Sequence, residues 1–417
     1  MEAFTYKRGQ LFAEGVSVAE LAKKFGTPLF VYSRSHIQEQ YRSLIGALKE
    51  LDPLICYSVK VNTSAAIINT LAKEGSGADV VSGGELYRAM KAGISAGRIA
   101  FAGVGKTTAE IEFALKSNIL FFTVESEQEL ERISAVAKRL KKTARVALRV
   151  NPDVDPKTHK YISTGKKENK FGMDLNRALH NYALAARLPN IEIAGLHMHI
   201  GSQILDATPF AEAAMKVASV ATELKKLYPT FRYLDIGGGI GIRYKPEQSP
   251  LLPATFAKAV VPILKPLGLK LVMEPGRNIV GNGGILVVEV QYVKQGPSKK
   301  FIIVDGAMND LIRPALYEAH HEVIAVKQAK KKTRGDVVGP ICESADFFAL
   351  DRELPDVKQG DLLAVMSCGA YAMSMSSNYN SRPRAAEVMV SGKRAALVRR
   401  RERIEELVCG ETIPMAW

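Results

Sequence analysis

Lys60, in the run Cys56-Tyr57-Ser58-Val59-Lys60-Val61-Asn62, follows an apolar stretch from Pro53 to Val59 that reads as a buried β-strand. An ammonium group at the carboxyl end of such a strand points to where parallel barrels and sheets bind ligands. Partial loss of hydration there lowers its pKa and makes the amine a nucleophile able to form a Schiff base. Taken alone, Lys60 also reads as a solvated strand-end residue. Polar residues recur just after other apolar runs: Asp79 and Ser82, Arg149 and Asn151, His197 and His199 with Gly201 and Ser202, Asp235, and Glu274-Pro275-Gly276-Arg277. So many polar strand ends converging on one rim imply a site.

Three of these positions suggest specific chemistry. Gly237-Gly238-Gly239 lets backbone N–H groups approach an anion closely, the usual phosphate position in a late barrel loop, although three glycines also suit a tight turn. The spacing is wrong for the dinucleotide fingerprint GxGxxG. Glu274 is placed to keep the ring nitrogen of a pyridine cofactor protonated, or to pair with Arg277. His199 can lie flat against an aromatic cofactor, or be a satisfied core histidine. In the C-terminal part, Gly339-Pro340-Ile341-Cys342-Glu343 sets a thiol beside a carboxylate in a loop. Arg313, Tyr317 and Tyr371 are open to reading as domain-interface residues.

The elements that must position these residues follow from periodicity. From about residue 53 to 277, short apolar runs alternate with amphipathic segments, the pattern of repeated βα units. Eight strands are expected: Leu54 to Val59, Ala78 to Ser82, Ile99 to Gly103, Ile119 to Val124, Ala144 to Val150, Ile191 to His199, Tyr233 to Ile236 and Leu269 to Met273. With helical patterns between them, they predict an α/β fold with a (β/α)8 barrel over 35–280, an open doubly wound sheet being the other reading. After Gly281 the texture becomes β-rich, which predicts a second, mainly antiparallel β-barrel or β-sandwich domain. Residues 1–34, with the apolar run Pro28 to Tyr32, are expected to join 281–417 in it. Helical insertions are expected around Met308 to Tyr317 and Ala370 to Met375.

The composition suits an α/β enzyme: 47% hydrophobic residues but only 7% aromatic. No stretch is long and apolar enough to span a membrane, and Met1-Glu2-Ala3-Phe4 lacks a signal-peptide pattern, so a cytoplasmic protein is expected. The four cysteines show no metal-binding spacing, and no metal is expected. The net charge of +14 resides largely in clusters such as 327–334 and 393–403. No aromatic residues interleave them, which favours a solvated or anion-attracting surface over nucleic-acid binding.

Together the residues resemble the diaminopimelate decarboxylases, pyridoxal-phosphate enzymes on the alanine-racemase-like barrel that ornithine decarboxylase shares. The resemblance runs from Thr27-Pro28-Leu29-Phe30-Val31-Tyr32 to Asn378-Tyr379-Asn380-Ser381-Arg382-Pro383-Arg384. Its most specific pieces are Tyr57 to Asn62, His197 to Gln203, Glu274 to Arg277, Cys342-Glu343-Ser344 and Ser374 to Asn380. It implies that Lys60 carries pyridoxal 5'-phosphate, His199 stacks on its ring and Glu274 pairs with the ring nitrogen, with Asp79 also among the cofactor-binding residues. The phosphate falls to Ser202, the Gly237 to Gly239 backbone, Gly276 with the Arg277 backbone, and the Tyr371 hydroxyl. Substrate carboxylate is implied for Arg277, Arg313 and Tyr317, with Tyr371 also on the substrate side. The distal amino group is implied for Glu343 and proton delivery for Cys342, both reaching the site from the partner of a homodimer.

The implied reaction is decarboxylation of meso-2,6-diaminopimelate to L-lysine and carbon dioxide. The nearest rival is a decarboxylase of ornithine, arginine or carboxynorspermidine on the same fold. A noncatalytic pyridoxal-phosphate carrier would lack the β domain, and a cofactor-free Schiff-base aldolase would leave Glu274, His199 and the glycine loop without a joint purpose. One departure from the family stands in the loop Ala102-Gly103-Val104-Gly105-Lys106-Thr107, where Val-Gly replaces the common asparagines.

Overall fold

A computed structural model of the chain describes residues 3–155 and 170–414. All eight expected strands are present, as Leu54–Ser58, Gly77–Val80, Ile99–Phe101, Phe121–Val124, Ala144–Asn151, Ile191–Met198, Tyr233–Asp235 and Lys270–Met273. Each pairs in parallel with the next, and the eighth returns to the first with Val272 opposite Leu54. That last pairing closes the ring and rules out the open sheet. The strands read as unbroken apolar runs because both faces are buried, the interior holding Cys56, Ala100, Phe121, Ala147, Ala194 and Val272.

Local chemistry ends the strands and starts the helices. Ser82, Thr107 and Ser126 each accept a hydrogen bond from the backbone N–H three residues on, capping helices Gly83–Lys91, Thr108–Ser117 and Glu127–Arg139. At Thr107 the Glu110 side chain returns the bond, completing a capping box. The first strand is shorter than expected. The Ser58 amide donates to Pro275 O at 3.0 Å, and Val59–Val61 then turn as a 3-10 helix, so Lys60 stands on a turn rather than at the strand's last position.

The chain divides into two compact units, one of residues 38–243 and 249–279, the other of residues 1–37, 244–248 and 280–417. The second is built on a mainly antiparallel sheet. Its order is Phe347–Pro355, Lys332–Val338, Lys300–Val304, Gly284–Gln295, Leu29–Ser33, Ala386–Ser391 and Arg394–Arg399. Leu362–Val365 also pairs with Gly284–Gln295 and with Val323–Ala325. Leu29–Ser33 lies mid-sheet, antiparallel to Gly284–Gln295 and parallel to Ala386–Ser391. Leu29, Val31, Ile285, Val287, Val388 and Val390 form its core with Leu11 and Val18 from the N-terminal segment.

Two expected insertions are shorter than their sequence patterns. Helix Arg313–Tyr317 starts only at Arg313, with Pro314 in its first turn, where its missing N–H costs nothing. The second reduces to a 3-10 turn, Met373–Met375. The basic clusters are partly neutralised on the surface: Arg334 forks onto Asp351 at 2.7 and 2.9 Å, Lys332 meets Glu353, and Arg400 meets Glu406. Among the described residues, no helix is long and apolar enough to cross a membrane.

Candidate active site

The carboxyl ends of the barrel strands gather Lys60, Asp79, His197, His199, Asp235 and Glu274. Lys60 Nζ donates to Asp79 Oδ2 at 2.8 Å, and Ser58 Oγ donates to the same oxygen at 2.6 Å. The Lys60 side chain is 40% exposed while that of Asp79 is fully buried. The amine is therefore tethered by a buried carboxylate while the side chain as a whole stays partly exposed. Burial and the nearby Glu274 charge push Asp79 up, against Lys60 and Ser58, which draw it down.

Glu274, on the residue after the eighth strand, faces the barrel interior. Its Oε2 lies 3.1 Å from His197 Nε2, both side chains being buried, so its partner is His197 rather than the neighbouring Arg277. Burial raises the Glu274 pKa, but the His197 charge and hydrogen bond, followed by Lys60 and His199, outweigh it and hold the carboxyl at about 2. Asp235, one strand away, is driven well above the usual range by burial and by the Glu274 charge, despite accepting the Gly237 amide at 2.8 Å. The two neighbouring carboxyl groups are thus driven in opposite directions. His197, Asp235 and Glu274 offer atoms within 4.8 Å of one another, a donor set a cation also accepts, although no metal was expected; His197 and Glu274 are already hydrogen-bonded to each other.

Glu274 Oε1 is buried without a hydrogen-bond partner, as are Asp79 Oδ1 and Asp235 Oδ2. A buried ionised oxygen left open is costly unless a donor from outside the chain reaches it. A protonated ring nitrogen is such a donor, so the residues fit a pyridine cofactor.

Around this centre the glycine loop is drawn inward. Gly237 has φ 67°, and a Cβ there would lie 2.6 Å from His199 Nδ1, while one on Gly238 would lie 2.2 Å from Glu274 O. Side chains are excluded at both positions. The Gly237 amide donates to Asp235 and the Gly238 amide to His199 Nδ1 at 3.2 Å, so two of the three amides expected to face an anion serve the site's own side chains. Accepting at Nδ1 fixes His199 with its proton on Nε2. Loss of hydration, then the Arg149 and Lys60 charges, keep His199 well below its ordinary pKa and hence neutral. The Ser202 hydroxyl accepts from Arg277 Nη2 at 3.1 Å, and Gly276 precedes Arg277 in the turn after the eighth strand.

The other expected residues lie in the β unit. Arg313 is buried, donating from Nη1 to His321 Nε2 at 2.7 Å, with its guanidinium 4.8 Å from the Tyr244 ring centroid. Tyr317 ends the same short helix. Tyr371 has φ 54°, a left-handed conformation that a tyrosine rarely adopts and that marks functional turns. Cys342 and Glu343 are exposed. Tyr379 donates to Glu343 Oε2 at 2.7 Å, and the Cys342 amide donates to Asn380 Oδ1 at 2.9 Å. The motifs Cys342-Glu343-Ser344 and Asn378-Tyr379-Asn380 are thereby joined. Sequence reasoning placed His197 and Asp235 at the rim without assigning them work, and missed His321, whose signal is the His320-His321 pair just beyond Tyr317.

A family profile described as "Pyridoxal-dependent decarboxylase, pyridoxal binding domain" matches residues 34–281. The diaminopimelate decarboxylase of Aquifex aeolicus is 52% identical over 404 residues, 97% of this chain and 96% of that protein. The crystal structure of diaminopimelate decarboxylase from Helicobacter pylori complexed with L-lysine is 43% identical, with a TM-score of 0.90 over 94% of this chain and 98% of that one. That of M. jannaschii, in co-complex with L-lysine, is 39% identical, with a TM-score of 0.94 over 99% and 98% of the two chains.

Proposed function

We propose a division of labour among these residues from one premise: the chain belongs to the diaminopimelate decarboxylases, pyridoxal-phosphate-dependent carboxy-lyases. The reaction is decarboxylation of meso-2,6-diaminopimelate to L-lysine and carbon dioxide, the last step of lysine biosynthesis. The observation that carries the reading is the buried, ionised Glu274 with one oxygen held by His197 and the other open, one strand from a partly exposed lysine side chain.

When bound, pyridoxal phosphate supplies an electron sink for the pair released as the substrate's carboxyl group departs. Lys60 holds the cofactor through its amine, with Asp79 fixing the direction of that amine. Glu274, being ionised, would pair with the ring nitrogen through Oε1 and keep its proton there. A carboxylate rather than an arginine there suits decarboxylation over racemisation. Neutral His199 would stack on the ring without adding charge. Ser202, Gly239, Gly276 and the Arg277 backbone hold the phosphate with the Tyr371 hydroxyl, and Gly237 and Gly238 brace the loop.

Arg277, Arg313 and Tyr317 take substrate carboxylate, and Tyr371 closes on the substrate. Glu343, oriented by Tyr379, takes the distal ammonium. The thiol of Cys342 returns a proton to the carbon that lost carbon dioxide. We read Cys342 and Glu343 as reaching the site from a second copy of the chain, in a cytoplasmic homodimer with shared active sites.

The test is to incubate the protein, loaded with pyridoxal phosphate, with meso-diaminopimelate and to quantify L-lysine and carbon dioxide, using Lys60→Ala as control. Equal yields from wild type alone are expected. Cofactor bound through Lys60 with no lysine formed would move the substrate to ornithine, arginine or carboxynorspermidine.

A further inference from the structure

His321 is fully buried in the β unit, and both its ring nitrogens are engaged. Nδ1 lies 2.7 Å from Met366 O, and Nε2 lies 2.7 Å from Arg313 Nη1. A carbonyl oxygen can only accept, so Nδ1 carries the proton. A guanidinium can only donate, so Nε2 presents its lone pair. These two contacts define one tautomer and exclude the doubly protonated ring, whose Nε2–H would face the N–H of Arg313. The Tyr244 ring flanks the pair, edge-on to His321 at 5.5 Å and 4.8 Å from the Arg313 guanidinium carbon. The Arg313 guanidinium thus meets a neutral acceptor at Nη1 and an aromatic face beside it.

We propose that His321 is a positioning residue for substrate recognition: as a neutral acceptor locked by the Met366 carbonyl, it aims Arg313 at a substrate carboxylate. The inference rests on the reading of Arg313 as a carboxylate ligand.

The test measures kcat and KM for meso-diaminopimelate, and the Kd of L-lysine by calorimetry, on holoenzyme variants. Lysine is the probe because it retains one of the substrate's two carboxylates. His321→Ala is expected to raise KM and the lysine Kd about tenfold, the loss expected for one hydrogen bond to a charged group, with kcat within about twofold of wild type. Gln and Asn divide the two contacts. His321→Gln can offer an oxygen where Nε2 stood and should restore most of the affinity. His321→Asn keeps reach toward Met366 O but not toward Arg313 and should behave like Ala. This pair decides the matter even if the Ala variant fails to fold.

In a double-mutant cycle the His321→Ala effect should largely vanish on an Arg313→Lys background. If Arg313→Lys raises KM but His321→Asn and His321→Gln both match wild type, the positioning role is wrong and the Arg313 reading stands. If Arg313→Lys changes neither KM nor lysine affinity, the Arg313 reading fails and takes this inference with it. Additive effects in the cycle, or Gln and Asn weakening binding equally, reduce His321 to a packing residue.

Discussion

Lys60 and Lys106 each follow a strand of the same barrel and each meets a carboxylate, Asp79 at 2.8 Å and Glu129 at 2.6 Å. The Lys106 side chain is 1% exposed and donates to Glu129, Gly103 O and Thr123 O, so all three of its protons have acceptors. Glu129 in turn accepts the Glu125 amide. Around Lys60 the balance is reversed. Its side chain is 40% exposed, and four carboxyl groups (Asp79, Glu85, Asp235 and Glu274) crowd the neighbourhood, with buried oxygens left unpartnered on three of them. A closed network fixes a loop; an open one is completed by a ligand. Lys106 stands in the loop where the chain departs from its family's asparagines, and its contacts there are structural.

The sharpest way to break this contrast is to remove each amine in turn. Lys60→Ala should lower lysine formation by at least about a thousandfold while the protein still unfolds near the wild-type temperature. Lys106→Met should do the opposite, leaving kcat nearly unchanged and costing about 3–5 kcal/mol of stability, because Glu129 is left buried without its counter-charge. Urea titration with activity assays on both variants decides this, and loss of stability in the first or of kcat in the second would erase the distinction.

Glu274→Gln comes next. With the ring nitrogen no longer facing a full charge, kcat should fall roughly a hundredfold while cofactor absorbance shows that pyridoxal phosphate still binds. An unchanged kcat would mean that the open oxygen has another purpose. Whether the open site is completed by a second chain is tested by mixing inactive Lys60→Ala and Cys342→Ala proteins under exchange conditions. The mixture should recover roughly a quarter of wild-type activity, because about half of its dimers are hybrids and each hybrid contains one intact site of two. No recovery would place Cys342 in the same chain's site.

The smallest effect concerns pH. Burial, the strongest influence, raises Glu85 to about 7 from its ordinary 4.5, with the Asp79 charge adding to it against the Val81 amide, Lys60 and Arg88. The folded protein therefore holds this proton more tightly than the unfolded chain. The stability it contributes is full below about pH 4.5 and is lost as pH rises toward about 7. Glu85→Gln should flatten the decline of the unfolding free energy across that window by about 1–2 kcal/mol. An unchanged slope would mean that the crowding near Lys60 does not extend to this helix.

The sequence made the barrel legible because its strands are buried on both faces and three of its helices begin at Ser or Thr caps, signals that are local. It also showed the rim residues, since each stands just after an apolar run. What it hid depends on pairing across distance. Glu274 was open to pairing with Arg277, three residues away, but its partner is His197, brought in by the register of other strands. His321 was invisible for the same reason, because its work depends on a carbonyl at Met366 that no spacing announces. The glycine loop was found by composition, whereas the inward direction of two of its amides follows from close approach to His199 and Glu274.

Leu29–Ser33 takes its two sheet neighbours from Gly284–Gln295 and Ala386–Ser391. A ribosome delivers this strand early and its neighbours last, so both edges of an apolar Leu-Phe-Val-Tyr run stay unpaired while the whole barrel is made. Closure of the β unit is therefore a late event in the life of each new chain. Nascent chains stalled before residue 284 present the same five-residue edge to one another, which makes this strand the place where a failed synthesis would begin to aggregate.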